Sequence, residues 1–552
     1  MMIIRLILTL FIAGLVQTAY PQLGLNLNKP ERIEEMKNAG FGMFIHWGVD
    51  VQLGGVISHQ LVGASEDYFN KYINDLPKTF DPMDWNPEKA VILAKNAGMK
   101  YIVLTAKHHS GFCLWNTKTT NFNIMNTPYK KDILKGFVDA CRKWGLMVGI
   151  YFSPEDFVFC YQNGIKDIGR RQDGHWERAK SIQEKYKKFV LDQTTELMKN
   201  YGPIDLFFID SEILREEVKK KVWELQPNCV ITRGAIPTPE QFVPGESSTT
   251  YWETNMTMGN EWNYKPTNDH YKTGTELIDI LIETRAKGGS YLLNIGPDQW
   301  GNINEGQMGL LMEMGAWNFV NHEAIQNVES WIIPNEENLW ISKSKEKKTV
   351  YVYITGEPNW AFGDRKKFLL KSVKATAETK ISVLGTTGKI VEYRPQTDGM
   401  PYFHQTTNGL EFDVVRSQRM YTDYTWPNPI VVKLENVEPA FTLSKFNTLS
   451  ATRKGKSVVF KSKIEELGNC KEYKIGFEYR SVKGAPNRGD NEGWKSTGFY
   501  PITSKGEYSS EINLEDDDNR LSGNYEYRAV LSQDGLRTPG SVLKSREIIS
   551  PE

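Results

Sequence analysis

Six apolar runs along this 552-residue chain each end in a side chain that can do chemistry. Gly42-Met43-Phe44-Ile45 leads into His46, and Tyr101 to Ala106 leads into Lys107-His108-His109. Met147 to Ile150 leads into Tyr151, Ile204 to Ile209 into Asp210, Val230 to Thr232 into Arg233, and Tyr291 to Leu293 into Asn294. A carboxylate, a guanidinium, a phenol and several imidazoles gathered in one place could attack, hold and protonate a substrate. Asp210 ends the most apolar run, where a carboxylate either lies at a pocket floor or caps the helix that Ser211-Glu212 would begin. Arg233 offers a planar fork of donors that could hold a hydroxyl or keep Asp210 ionised, and Tyr151 could bond to either.

Glu253 stands in Tyr251-Trp252-Glu253-Thr254, between strands. A carboxyl group beside an aromatic ring can have a raised pKa and donate a proton at neutral pH, although an ordinary loop glutamate reads the same way. Glu155, Glu246 and Glu261 compete for that role. His46, His108 and His109 could bond to sugar hydroxyls or bind a metal, and a core position suits one of them equally. Adjacent histidines on a strand point to opposite faces, so His108 and His109 share a pocket only if their strand ends at Lys107. His59, His175, His270, His322 and His404 have no comparable position and read as structural or solvated.

Elements of two kinds must position these side chains. Helical spacing over Glu31–Ala39, Pro87–Ala97, Lys131–Trp144, Arg178–Tyr201 and Thr275–Lys287 alternates with the apolar runs. Gly40, Gly98, Gly145, Gly202 and Gly288 close the five helices. Repeated units of this kind predict an α/β fold, a (β/α)8-like TIM barrel over residues 25–332 whose active site lies at the carboxyl ends of the strands. Six strands are read from the sequence, and Phe157 to His175 is expected as a loop over the pocket. Alternating segments such as Thr349–Ile354, Lys380–Leu384, Lys389–Tyr393 and Ile430–Leu434 then predict an antiparallel β-sandwich over 333–437. A small fibronectin III-like sandwich is expected over 438–552.

Composition narrows the function. Lys and Arg number 67 against 68 Asp and Glu, so nothing suggests nucleic acid as a partner. The 15 tryptophans and 25 tyrosines suit the apolar face of a sugar ring as well as a core. Arg5, the apolar stretch Leu6–Val16 and Thr18-Ala19 read as a signal peptide over residues 1–24, so the protein is expected to be exported without a membrane span. Five scattered cysteines give neither a zinc spacing nor a disulfide framework.

Phe44-Ile45-His46-Trp47-Gly48, Lys107-His108-His109-Ser110-Gly111-Phe112, the Asp210 strand, Trp252-Glu253-Thr254 with Trp262-Asn263-Tyr264, and Leu292-Leu293-Asn294-Ile295-Gly296-Pro297 together resemble glycoside hydrolase family 29, the retaining α-L-fucosidases. The resemblance spans about residues 30 to 330. It implies an exo-acting enzyme that removes terminal α-L-fucosides from glycans by double displacement, with Asp210 as nucleophile and Glu253 as acid/base. His46, His108, His109, Tyr151 and Arg233 become substrate-binding residues, joined by the aromatic faces of Trp47 and Trp252. No metal or organic cofactor is required. Retention needs the two carboxyl groups about 5–5.5 Å apart. Ser110, Ser211 and Phe208 depart from the family's usual aspartate, glycine and tryptophan, and Val49 to Glu66 lacks an expected tryptophan-rich motif. These departures bear on the sugar accepted, and an α-L-galactosylated glycan is the alternative substrate, with Ser110 and His59 as sources of polarity near C6. A metal-dependent hydrolase using the three histidines and a non-catalytic carbohydrate-binding protein are the alternatives from other classes.

Overall fold

The computed structural model describes residues 24–544 apart from 56, 171–173, 246, 249, 419–427, 455–456, 482–493 and 514–524. The expected signal segment, save its last residue, and Glu246 lie outside the described residues. The chain divides into two units, one over residues 23–442 and one beginning at Leu443.

The first unit opens with a parallel sheet of seven strands. These are β1 (Phe41–Ile45), β2 (Tyr101–Lys107), β3 (Met147–Phe152), β4 (Leu206–Ile209), β5 (Val230–Ile231), β6 (Glu253–Thr257) and β7 (Ser290–Ile295), in the order β5-β4-β3-β2-β1-β7-β6. An eighth place is held by extended backbone after β5. Arg233 bridges to Ile236 and Glu240 to Asn255 in parallel sense, and Glu253 N and Asn255 N donate to the carbonyls of Pro237 and Pro239. The fold is thus the expected (β/α)8-like barrel. Its interior is filled by Phe44, Tyr101, Val103, Tyr151, Leu206, Phe208, Val230 and Leu292, alternate residues along the strands.

The helices form where their ends are capped. Asp132 accepts from Lys135 N, and Thr273 and Glu276 make a reciprocal capping box, a pairing that satisfies two donors at once. The five glycines expected after the helices all lie in the left-handed region, with φ from 66° to 91°. The first unit continues as two antiparallel sheets around a separate apolar core that includes Ile341, Val352, Phe412 and Val432. The second unit is also built of antiparallel sheets.

Three local expectations are corrected. Glu253 does not lie between strands but begins β6, whose mixed Glu-Thr-Asn-Met-Thr sequence lacks an apolar run. Lys389–Tyr393 is not a strand; Ile390 is exposed and Tyr393 has φ of 59°, which a continuous strand does not permit. The stretch after Asp156 begins with a short helix, Phe157–Gln162, capped by the Asp156 side chain.

Candidate active site

Strand ends on one face of the barrel bring six predicted residues together. Asp210 follows β4 directly, and both carboxylate oxygens are engaged. Arg233 Nη1 donates to Oδ1 at 2.8 Å, and Tyr151 Oη donates to Oδ2 at 2.6 Å. His109 Nε2 lies 3.6 Å from Oδ2. Burial alone would raise the Asp210 pKa, but the Arg233 guanidinium and the hydrogen bond from the Tyr151 hydroxyl hold it well below the usual carboxylate range. Arg233 is itself steadied by Glu240, whose Oε2 accepts from Nη2 at 2.7 Å, and it lies over the Phe208 ring. Asp210 is therefore a fixed carboxylate, 22 % exposed, open to one side.

β2 ends at Lys107, whose ammonium is buried against Asp156 at 3.1 Å. The condition for sharing a pocket is met. His108 and His109 sit in the turn that follows, with ring centroids 4.2 Å apart. Gly111 makes this turn possible. Its φ is 94°, and a Cβ there would fall 2.2 Å from Asp156 Oδ1. His108 stacks on Tyr151 at 5.4 Å, and His46 meets the same ring at 5.4 Å from the end of β1. Burial lowers the pKa of all three histidines, that of His46 to about 4, so they are neutral at pH 7.

The two tryptophans expected to bind substrate lie elsewhere. Trp47 is 1 % exposed, donates to the Asp298 carbonyl, and packs against Trp85 and Phe80 in the core between barrel and helices. Strand alternation turns it away from His46, its neighbour in sequence. Trp252 precedes β6 and is equally buried, with Gly289 leaving room for its ring. Trp262, by contrast, lies beside a pocket histidine. Its ring lies 4.8 Å from His46, and its carbonyl accepts from Asn294 Nδ2.

Glu253 is the larger correction. It is the first residue of β6, four residues or about 13 Å of strand before the carboxyl end at Thr257. Its Oε2 accepts from the hydroxyl of Tyr101, the first residue of β2, at 2.6 Å. Gly42 permits this reach, since a Cβ there would meet the Tyr101 ring at 2.4 Å. The next inward residues, Val103, Phe44 and Leu292, are all buried. Glu253 is 0 % exposed, and burial raises its pKa to about 7 against the opposing effects of Tyr101 and Arg233. It has the pKa of a proton donor and the position of a core residue.

Ser58, Ser153 and Arg170, which the sequence does not single out, join the candidates Glu155, Glu261 and His59 around the site. Ser153 Oγ lies 2.6 Å from His109 Nδ1, and Glu155 Oε2 lies 3.6 Å from the same nitrogen. Ser58 Oγ lies 2.7 Å from His108 Nδ1. Arg170 Nη1 faces His59 Nε2 at 3.2 Å, and the His59 ring is 6.1 Å from that of His109. Glu261 precedes Trp262 on the loop after β6, 24 % exposed, with Lys265 Nζ at 3.8 Å. Ser58, Ser153 and Arg170 carry no periodic signal, so only the folded chain reveals them.

A family model, described as α-L-fucosidase, matches residues 15–323. The chain belongs to the α-L-fucosidase family, glycoside hydrolase family 29. It is a glycoside hydrolase by that membership. It is 27 % identical over 416 residues to the tissue α-L-fucosidase of Mus musculus, covering 68 % of this chain and 89 % of that one. Among solved structures it resembles α-L-fucosidase isoenzyme 1 of Paenibacillus thiaminolyticus, with a TM-score of 0.58 and 25 % identity over 73 % of this chain and 98 % of that one. It shares the fold of a Bacteroides thetaiotaomicron family member trapped as a covalent intermediate with 2-fluoro-fucosyl fluoride, at a TM-score of 0.57 and 21 % identity over 75 % and 98 %.

Part of this donor set also has the make-up of a metal site. His108, His109 and Asp210 place ligand-type atoms within 4.8 Å of one another, whereas His46 is not of this group. Arg233 already supplies the positive charge at Asp210, and Tyr151 occupies its second oxygen. Each carboxylate oxygen keeps a further lone pair, so these bonds hold Asp210 in place without closing it.

Proposed function

We propose that this family member is an exo-acting, retaining α-L-fucosidase with Asp210 as its nucleophile. The observation that carries the reading is the grip of Arg233 and Tyr151 on an ionised Asp210 at the open end of the barrel. In the first step an Asp210 oxygen bonds to the anomeric carbon as the glycosidic C–O bond breaks and the leaving oxygen takes a proton. In the second, water gives that proton site a replacement and attacks the glycosyl ester, freeing Asp210. The covalent intermediate trapped in the Bacteroides protein supports this route.

The proton donor must reach the leaving group at the pocket mouth, which Glu253 does not in this structure. Glu240 is committed to Arg233, and Glu155 is buried behind His109, on the side away from Asp210. Glu261 is partly exposed and adjoins Trp262, which packs on His46. We assign it the acid/base role. Activity on an aryl α-L-fucoside tests the nucleophile: Asp210→Ala should abolish it, and surviving turnover would refute the assignment. The polar pair His59–Arg170 beside His109 favours room for a hydroxyl on C6. An aryl α-L-galactoside therefore belongs in the same assay, and a rate near that on the fucoside would establish the second substrate.

A further inference from the structure

Each pocket histidine is held at Nδ1 by one side-chain partner, an amide at one and a serine hydroxyl at the other two, and those partners dictate where the ring proton lies. At His46 the partner is Asn294. Its Nδ2 donates to the Trp262 carbonyl at 2.6 Å, which fixes Oδ1 as the atom 2.6 Å from His46 Nδ1. A carbonyl oxygen only accepts, so His46 carries its proton on Nδ1 and leaves Nε2 bare. At His109 the partner is Ser153, whose Oγ lies 3.2 Å from the Glu155 carbonyl and 3.3 Å from the Asp210 carbonyl. Both are pure acceptors and take the single hydroxyl proton. The Ser153 oxygen is left to accept from His109 Nδ1–H, and His109 Nε2 is also bare.

His108 is the opposite case. Ser58 Oγ already accepts from Ser110 N at 2.9 Å. Among the described residues its hydroxyl proton has one acceptor in reach, His108 Nδ1 at 2.7 Å. His108 thus receives at Nδ1 and must carry its own proton on Nε2. Ser58 is built for this. It has φ of 57°, a strained value for serine, and its backbone N–H is tied to the buried Asp50 carboxylate at 2.7 Å.

Resting on the fucosidase reading, we propose that Asn294, Ser153 and Ser58 are positioning residues that set the three histidines in an alternating pattern. His46 and His109 present bare Nε2 acceptors, and His108 presents an Nε2–H donor. The site then recognises a sugar by the sense of its hydrogen bonds: two groups that donate and one that accepts. His109 Nε2 and Asp210 Oδ2, two acceptors 3.6 Å apart, call for a hydroxyl proton between them.

Two-bond 1H–15N spectra of the 15N-histidine-labelled full chain at pH 7 test this. The chain has eight histidines, and H46Q, H108Q and H109Q assign the three signals. His108 should show the Nε2–H pattern, and His46 and His109 the Nδ1–H pattern. His108 protonated on Nδ1, or either of the others on Nε2, overturns the proposal without any further variant having to fold. In kinetics, Ser58→Ala should lower kcat/KM on an aryl α-L-fucoside about tenfold, the worth of one hydrogen bond. In the H108Q background the same change should cost less than twofold, because Ser58 acts through His108. Equal losses in both backgrounds would make Ser58 a packing residue only. The spectra do not depend on turnover, so their failure leaves the Asp210 assignment standing, and an inactive chain leaves the spectra interpretable.

Discussion

Asp210 and Glu253 are carboxyl groups of the same barrel, and the two ends of that barrel hold them in opposite states. At the carboxyl end, Asp210 meets a guanidinium and a phenol, and remains ionised despite its burial. At the amino end, Glu253 has one hydroxyl partner and no counter-charge in contact, and its pKa rises to about 7. Desolvation acts on both. What separates them is direct contact with a charge: Arg233 bonds Asp210, whereas it acts on Glu253 only at a distance. A pKa near neutrality therefore identifies a buried acid, whereas access to the pocket identifies a catalytic one.

The largest break in this comparison comes from Asp210→Ala, expected to reduce kcat on an aryl α-L-fucoside by about 10⁴-fold or more, as loss of a nucleophile does. Next, Glu261→Ala should lower kcat by about 10²–10³-fold, and added azide should recover turnover as a glycosyl azide; no recovery would return the acid/base role to another residue. Arg233→Met should cost about 10²-fold and move the acidic limb of the pH–rate profile upward. Removing the guanidinium raises the Asp210 pKa, so the ionised form is lost at a higher pH than in the parent. An unmoved limb would show that another group sets it.

The smallest catalytic effect should come from Glu253→Gln, whose amide oxygen can still accept from Tyr101. Activity should change less than about threefold. Stability should change in a defined direction. Glu253 is raised from 4.5 to about 7 on folding, so the folded chain binds the proton more tightly, and stability falls as pH rises from about 4.5 through about 7. Above that window the cost is about 3 kcal/mol. Glu253→Gln should remove it, giving a variant more stable than the parent at pH 8 and no more stable at pH 4, measured by denaturant unfolding. A loss of activity above tenfold with the fold intact would sink the placement of Glu253 in the core.

Much of the fold is legible because apolar runs and closing glycines repeat. Six strands and five helices follow from them, and each run's end points to a pocket residue. β6 escapes because Glu253-Thr254-Asn255-Met256-Thr257 is mostly polar and carries no apolar run. Its invisibility is also why Glu253 reads as a loop acid near Asp210 rather than as the start of a stave. Trp47 and Trp252 mislead for a related reason. Trp47 follows His46 but packs on Trp85 and Phe80 away from the pocket, and Trp252 adjoins Glu253, itself a core residue. The serines behind the histidines stay hidden because Ser58 and Ser153 act only through chain segments distant in sequence.

Labelling with 2-fluoro-fucosyl fluoride followed by peptide mass mapping tests the central claim most directly. The fluorine slows release of the glycosyl enzyme, so the ester accumulates on whichever carboxylate attacks. The account predicts a single labelled peptide, the one containing Asp210, and no label in Asp210→Ala. Label on Glu253, or on any carboxylate other than Asp210, would contradict it.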